Sequence, residues 1–218
     1  MVGWRWATRA VAMALGSTAI IGAMHMPVFR SVLLRVGACP VARVTPEQVE
    51  QARNQALHKL RGADPAPARP AFGFAFEKTS LDEVRAWARA YGIACERSRN
   101  DSLLKCDAVP AGALRPGADA TFDEVAFGFR LADHRLVNLT TLSTSLEPRA
   151  ARRRFMAQAG VLTTTLGTPA SQSTPTGEWD VRAPIYVTYR FSDYIAEVSA
   201  MVLPERGVVL REHYVAIG

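Results

Sequence analysis

The chain has 218 residues, 26 of them Lys or Arg and 20 Asp or Glu, with four histidines and three cysteines and a formal net charge of +6. Arg5, Arg9, Arg30 and Arg35 fall in residues 1–38, which hold no acid, so the remainder carries 22 basic against 20 acidic groups. A nearly neutral body without a basic face interleaved with aromatics excludes a nucleic-acid role, and scattered histidines without Cys or Glu at fixed spacing exclude a zinc motif.

Residues 10–29 form an uncharged run of 20 residues, preceded by Trp4, Arg5, Trp6 and Arg9. A cationic start followed by an apolar stretch is the pattern of a segment inserted by the export machinery, with its positive end left in the cytoplasm. Residues 1–38 are therefore read as a signal or anchor segment. Three fates stay open. An uncleaved transmembrane helix is favoured, because Ala23-Met24-His25-Met26-Pro27 offers no good pair of small residues for cleavage. Val36-Gly37-Ala38-Cys39 resembles a lipobox, which makes Cys39 a candidate lipidation site, although Arg30 and Arg35 interrupt the apolar core expected before such a box. A cleaved signal is the third. Each places the rest of the chain in the periplasm of a bacterial cell envelope, membrane-anchored in the first two cases.

Residues 39–70 read as a stalk helix and a Pro-rich linker. Thr45-Pro46-Glu47-Gln48 starts a helix with Thr45 as N-cap and Pro46 at its first position, running to Arg61. Gly62-Ala63-Asp64-Pro65-Ala66-Pro67-Ala68-Arg69-Pro70 cannot hold a helix and is expected to be stiff and extended.

Residues 71–218 read as one globular α+β domain, an antiparallel sheet with packed helices. Phe72-Gly73-Phe74-Ala75-Phe76 alternates large and small as a half-buried strand does. Thr79 or Ser80 then caps a helix carrying Leu81, Val84, Trp87, Ala88 and Tyr91, stopped by Gly92. Cys95 and Cys106 flank an Asn100-Asp101 turn. Counting outward from that turn sets them opposite each other on two short strands, close enough for a disulfide in an oxidising compartment. Strands follow at 125–131 and 136–142, then a helix over 148–165 with Phe155, Ala159 and Leu162. Beyond a Ser/Thr/Pro-rich loop come strands at 185–191, 194–203 and 208–215.

Two local matches suggest duplicated helix-plus-meander units, 71–145 and 146–218. Arg85-Ala86-Trp87 with Gly92-Ile93 matches Arg153-Arg154-Phe155 with Gly160-Val161, and Phe129-Arg130-Leu131-Ala132-Asp133 matches Tyr189-Arg190-Phe191-Ser192-Asp193. Leu166-Gly167-Thr168-Pro169, with Trp179 and Tyr186 downstream, resembles the SmpA/BamE and β-lactamase-inhibitor-protein group of small envelope proteins, whose signature is a helix closing on a Leu-Gly-x-Pro-like turn before strands. The resemblance covers residues 148–215 and, more loosely, 79–143, where the Gly-x-Pro turn is missing. It implies non-catalytic protein binding in the envelope.

No Gly-x-Ser-x-Gly elbow is present, and His58, His134 and His213 read as structural or exposed. Asp133 and Asp193 follow strand ends as turn formers do. Arg130 and Arg190 are expected on solvated strand faces, within reach of Glu197 or Glu212. Arg149, Arg152, Arg153 and Arg154 are expected on the wet face of a helix, with an acidic lipid or acidic partner as the functional alternative. Asn138-Leu139-Thr140 matches a glycosylation tripeptide but falls within a strand. No catalytic, cofactor or metal residues are assigned. The leading expectation is a membrane-tethered binding or assembly module with an envelope protein partner. A small-molecule or lipid carrier with Phe72, Phe74, Phe76, Phe127 and Phe129 lining a cavity is second. An enzyme built from His213, Glu212 and Asp193 is third.

Overall fold

A computed structural model describes residues 45–98, 101–174, 179–180 and 182–218. The export segment and Cys39 lie outside them. Among the described residues no helix is long and apolar enough to cross a membrane.

The fold is α+β. Helix α1 spans Pro46–Leu60, α2 Leu81–Ala90 and α3 Pro148–Leu166. The strands are β1 Cys95–Ser98, β2 Leu103–Pro110, β3 Thr121–Phe129, β4 Leu136–Leu146, β5 Ser171–Ser173, β6 Ile185–Arg190, β7 Tyr194–Leu203 and β8 Gly207–Ala216. All eight join one antiparallel sheet in the order β1-β2-β3-β4-β8-β7-β6-β5. Each half is thus a helix followed by a four-stranded meander, and the halves meet where β4 pairs with β8.

The sheet's first face carries the core. Successive residues of a strand point to opposite faces, and the ladder Leu104, Phe127, Leu139, Tyr214, Ala196, Tyr189 runs across six strands of that face, each residue buried. Helix α2 contributes Val84 and Ala88. Helix α3 contributes Ala151, Phe155, Ala159, Leu162 and Leu166, spaced three or four apart so that one stripe is buried. Ser80 and Glu83 form a capping box at the start of α2, and the hydrogen bonds from Ser80 hold the Glu83 carboxyl below its ordinary range. Gly167, at φ 84°, ends α3 in a conformation that glycine adopts without a Cβ penalty.

Phe72-Gly73-Phe74-Ala75-Phe76 is not a strand. Phe72 and Gly73 have φ of 54° and 84°, the Phe74 N–H donates to Ala71 O at 3.0 Å, and the segment turns back on itself over the first face. Its large residues alternate because three rings enter the core from an irregular segment. Phe72 meets Phe122 and Tyr214 edge-on, Phe74 meets Trp87 and Phe127, and Phe76 lies against Tyr194, with centroids 5.3–6.1 Å apart. Rings at that spacing fill the space between sheet and helix.

The Pro-rich stretch is held along its length. Gly62 N–H donates to Phe191 O at 3.0 Å, Ser192 N–H to Asp64 O at 2.7 Å, Ala66 N–H to Asp193 Oδ1 at 2.8 Å, and Tyr194 O–H to Pro70 O at 2.7 Å. A Cβ on Gly62 would run into the Arg190 carbonyl, so the chain passes there because the residue has none. Residues 61–80 form a strap around the β6–β7 turn. One compact unit accordingly runs from Pro46 to Gly218, rather than starting at 71.

Candidate functional site

Three polar constellations stand out, one in the core and two at the surface. In the core, Glu212 points inward from β8 and is 1% exposed. Arg115, just after the short 3-10 turn Ala111–Ala113, ion-pairs with it through Nη2, and Tyr214 O–H donates to Glu212 Oε2 at 2.6 Å. Gln158 of α3 donates to Tyr214 Oη at 3.1 Å. Burial, then the adjacent Glu212 charge, push the Tyr214 phenol well above its ordinary range, so this hydroxyl stays a donor. The Arg115 guanidinium lies 4.4 Å from the Phe72 ring centroid, which sandwiches the charge between carboxylate and aromatic.

The second face of the sheet is a set of polar ladders. One runs across all eight strands through Glu96, Lys105, Ala126, Thr140, His213, Glu197, Thr188 and Ser171. Its neighbour runs through Asp107, Glu124, Leu142, Arg211, Ser199, Tyr186 and Ser173. Lys105 reaches Glu124 at 3.1 Å and Asp107 at 3.3 Å, bonds that raise its pKa, with Glu124 the first cause. Arg211 lies 3.7 Å from Glu197. Toward the β3–β4 turn the same face becomes apolar, and Leu57 of α1 packs there on Ile195, Val215 and Ile217.

His213 Nδ1 is 2.8 Å from Thr140 Oγ1. Burial, helped by the Arg211 charge, pushes the imidazole down to about 4. The folded form therefore stays neutral where the unfolded form takes up a proton, so stability is complete above about pH 6.5 and is lost as pH falls toward 4. Between pH 7 and pH 4.5 the urea midpoint should drop by the equivalent of about 2 kcal/mol, and His213→Asn should remove most of that drop. An unchanged slope in the variant would show that other groups carry it.

Sequence-assigned residues fall into place as follows. Cys95 and Cys106 pair directly in the β1–β2 register and are joined as a disulfide, whereas residues 99 and 100 of the turn are not among those described. Asp133 accepts the Arg135 N–H at 3.1 Å and Asp193 holds the strap, as turn formers. Arg130 reaches Glu77 and Asp133, each at 3.0 Å, and not Glu197 or Glu212. Glu212 and His213 are successive residues of β8 facing opposite sides of the sheet, and Asp193 sits in the β6–β7 turn, so the three do not converge. Asn138 lies in β4 and takes a hydrogen bond from Thr140 Oγ1 at 3.3 Å. Arg149, Arg152 and Arg153 line a cleft with Trp179. The Glu212 network was missed because Arg115 is 97 residues away in the chain. A single acid in a strand pattern otherwise apolar on that face was the one available signal.

No family model matches the chain, and no curated protein matches it. Among solved structures, a DUF4309 family protein (YjgB) from Bacillus subtilis matches over 80% of this chain and 99% of its own, at 16% identity and a TM-score of 0.30. A superposition that loose transfers no feature.

Proposed function

We propose that the protein is an exported, membrane-tethered periplasmic module of a bacterial envelope, that it binds a protein partner without catalysing a reaction, and that the partner docks on the polar second face of the sheet. The carrying observation is the division of labour between the faces. Helices α2 and α3 and the strap all serve the first face, and the second carries two cross-strand ladders in which Glu96, Asp107 and Ser173 are exposed and Lys105, Glu124, Leu142, Arg211, Glu197 and Tyr186 half-buried, while Thr188 and Ser199 are buried. Such a surface offers aromatic and charged anchors with a polar surround, as transient interfaces do. The sheet edges favour a face over an edge as the docking route. The outer strands β1 and β5 are four and three residues long, and short edge strands resist strand addition.

The uncharged run at 10–29 supports the tether, and the disulfide suits an oxidising compartment. The matching order of helix and four strands in both halves supports an internal duplication and fold kinship with the SmpA/BamE and β-lactamase-inhibitor-protein group. A carrier role is less well supported, because the aromatics expected to line its cavity pack ring against ring.

The test is cross-linked pull-down of the full chain from detergent-solubilised envelopes, repeated with Arg211→Glu and Leu142→Glu. A stoichiometric protein lost in both variants is the expected result. A partner retained equally by both would move the docking surface elsewhere, and repeated failure to recover any partner would end the binding-module reading.

A further inference from the structure

Strand β1 caps a sheet edge on which it packs very little. Three of its four residues, Glu96, Arg97 and Ser98, are exposed, and only Cys95 reaches the core. The Arg97 side chain turns to Asp101 of its own hairpin, 3.4 Å away. A short backbone ladder and the disulfide therefore hold β1 on β2. The Asp107 N–H donates to Ala94 O at 3.3 Å, so the backbone groups of Lys105 and Asp107 point out along the edge of β2. Cys95 and Cys106 then form a non-hydrogen-bonded pair, the closer of the two kinds.

Strand β2 itself carries the pair of residues with which β1 docks on it. Cys95 and Glu96 of β1 lie opposite Cys106 and Lys105. If β2 of a second copy ran antiparallel about a two-fold axis at Cys106, its Cys106 and Asp107 would meet the same two residues in the same order. Each Lys105 then faces the other copy's Asp107. An axis at Lys105 or at Asp107 would instead set like charges opposite each other, which is unfavourable. Lys105 keeps Glu124, 3.1 Å away on β3, and exchanges its own Asp107 at 3.3 Å for that of the second copy. No charge is stranded. Ala108, at φ 51°, bounds the regular ladder and keeps the contact short.

We propose that the disulfide is a redox latch on this edge, and that its reduction frees β1 and lets β2 pair with β2 of a second copy of this chain through Lys105–Asp107 contacts. The sulfur open to attack is that of Cys95, which is half-buried and lines a cleft of about 250 Å3 with Ala88 and Ile93. Cys106 is fully buried. A dithiol reductant supplies the electrons. One of its thiolates attacks Cys95 Sγ and expels the Cys106 thiolate, which takes up a proton. Its second thiol then displaces Cys95 as a thiol, and the reductant leaves as its own disulfide. The edge is distinct from the second sheet face, so the two proposals fail separately.

The experiment uses the full chain in detergent with Cys39→Ser, so that only Cys95 and Cys106 can react. Oxidised, it should sediment as a monomer, and reduced with dithiothreitol it should dimerise. With Cys95→Ala added, diamide should trap a dimer linked through Cys106. Asp107→Lys or Lys105→Glu should each slow that trapping about fivefold or more, because like charges then meet twice. Mixing the two charge variants should restore it as a mixed dimer, which a general loss of fold would not allow. Should Cys95→Ala not fold, the charge variants are compared by sedimentation after reduction. A reduced chain that stays monomeric would overturn the proposal, as would a dimer equally abundant before reduction or one indifferent to the charge variants.

Discussion

Arg115→Ala is expected to destabilise the fold by about 3 kcal/mol, read as a fall in the urea midpoint with little change in slope. The substitution leaves Glu212, 1% exposed, without its counter-ion inside the sheet–helix layer. Removing one partner of a buried pair costs about 3–5 kcal/mol, and the lower end applies because the Arg115 side chain keeps 33% exposure. Loss of the guanidinium over Phe72 adds to it. The companion Glu212→Gln should be milder, since an amide can still accept from Tyr214. Combining the two should then recover more than half of the Arg115→Ala loss, because no charge is left stranded. If Arg115→Ala shifted stability by under about 0.5 kcal/mol, the carboxylate would have to be satisfied some other way.

The second large effect is expected at the disulfide. Replacing Cys95 and Cys106 by serine, or reducing the bond, should cost about 3 kcal/mol, the chain-entropy value for a loop closed across 11 residues. The loss should be local as well as global. Strand β1 is four residues long and, among the described residues, pairs only with β2, so hydrogen exchange in β1 should accelerate well before the rest of the sheet loosens. Cys106 is fully buried, so serine there also buries a hydroxyl, whereas alanine at the same site should recover part of the loss. Intact mass of the oxidised protein with both thiols free would remove the bond from the account altogether.

What was legible in the sequence followed from local rules. The cysteine register came from counting outward from a turn, and α2 from a capping Ser and apolar residues at helical spacing, both set by neighbours in the chain. Strand β7, expected at 194–203, is Tyr194–Leu203. The misreadings arose where distant contacts decide. Residues 72–76 alternate as a strand would but are shaped by the rings they must reach. Strand β5, Ser-Gln-Ser, has no apolar pattern, and β6 alone draws it into the sheet. The Pro-rich stretch looked like a spacer because its anchors are backbone bonds to the β6–β7 turn, which composition does not reveal. The two local sequence matches fall differently on the fold. The match of Trp87 with Phe155 aligns α2 with α3, which hold corresponding places. The match of residues 129–133 with 189–193 aligns the ends of β3 and β6, which do not. Those two strands run the same way in the sheet, and the matched turns share a sheet end where Arg130 and Asp193 both serve the strap, through Glu77 and Ala66.

The order β1-β2-β3-β4-β8-β7-β6-β5 also sets a sequence of events. Six of its seven pairings join strands that follow each other in the chain, and the β4–β8 seam alone joins distant ones. Two meanders can zip by short loop closures, after which the seam must close a loop spanning most of the second half. Folding should therefore be limited by that docking step. Contacts within either meander form before that step, so a substitution such as Val187→Ala should mainly slow refolding, whereas one at a seam position such as Leu139 should divide its effect between slower refolding and faster unfolding.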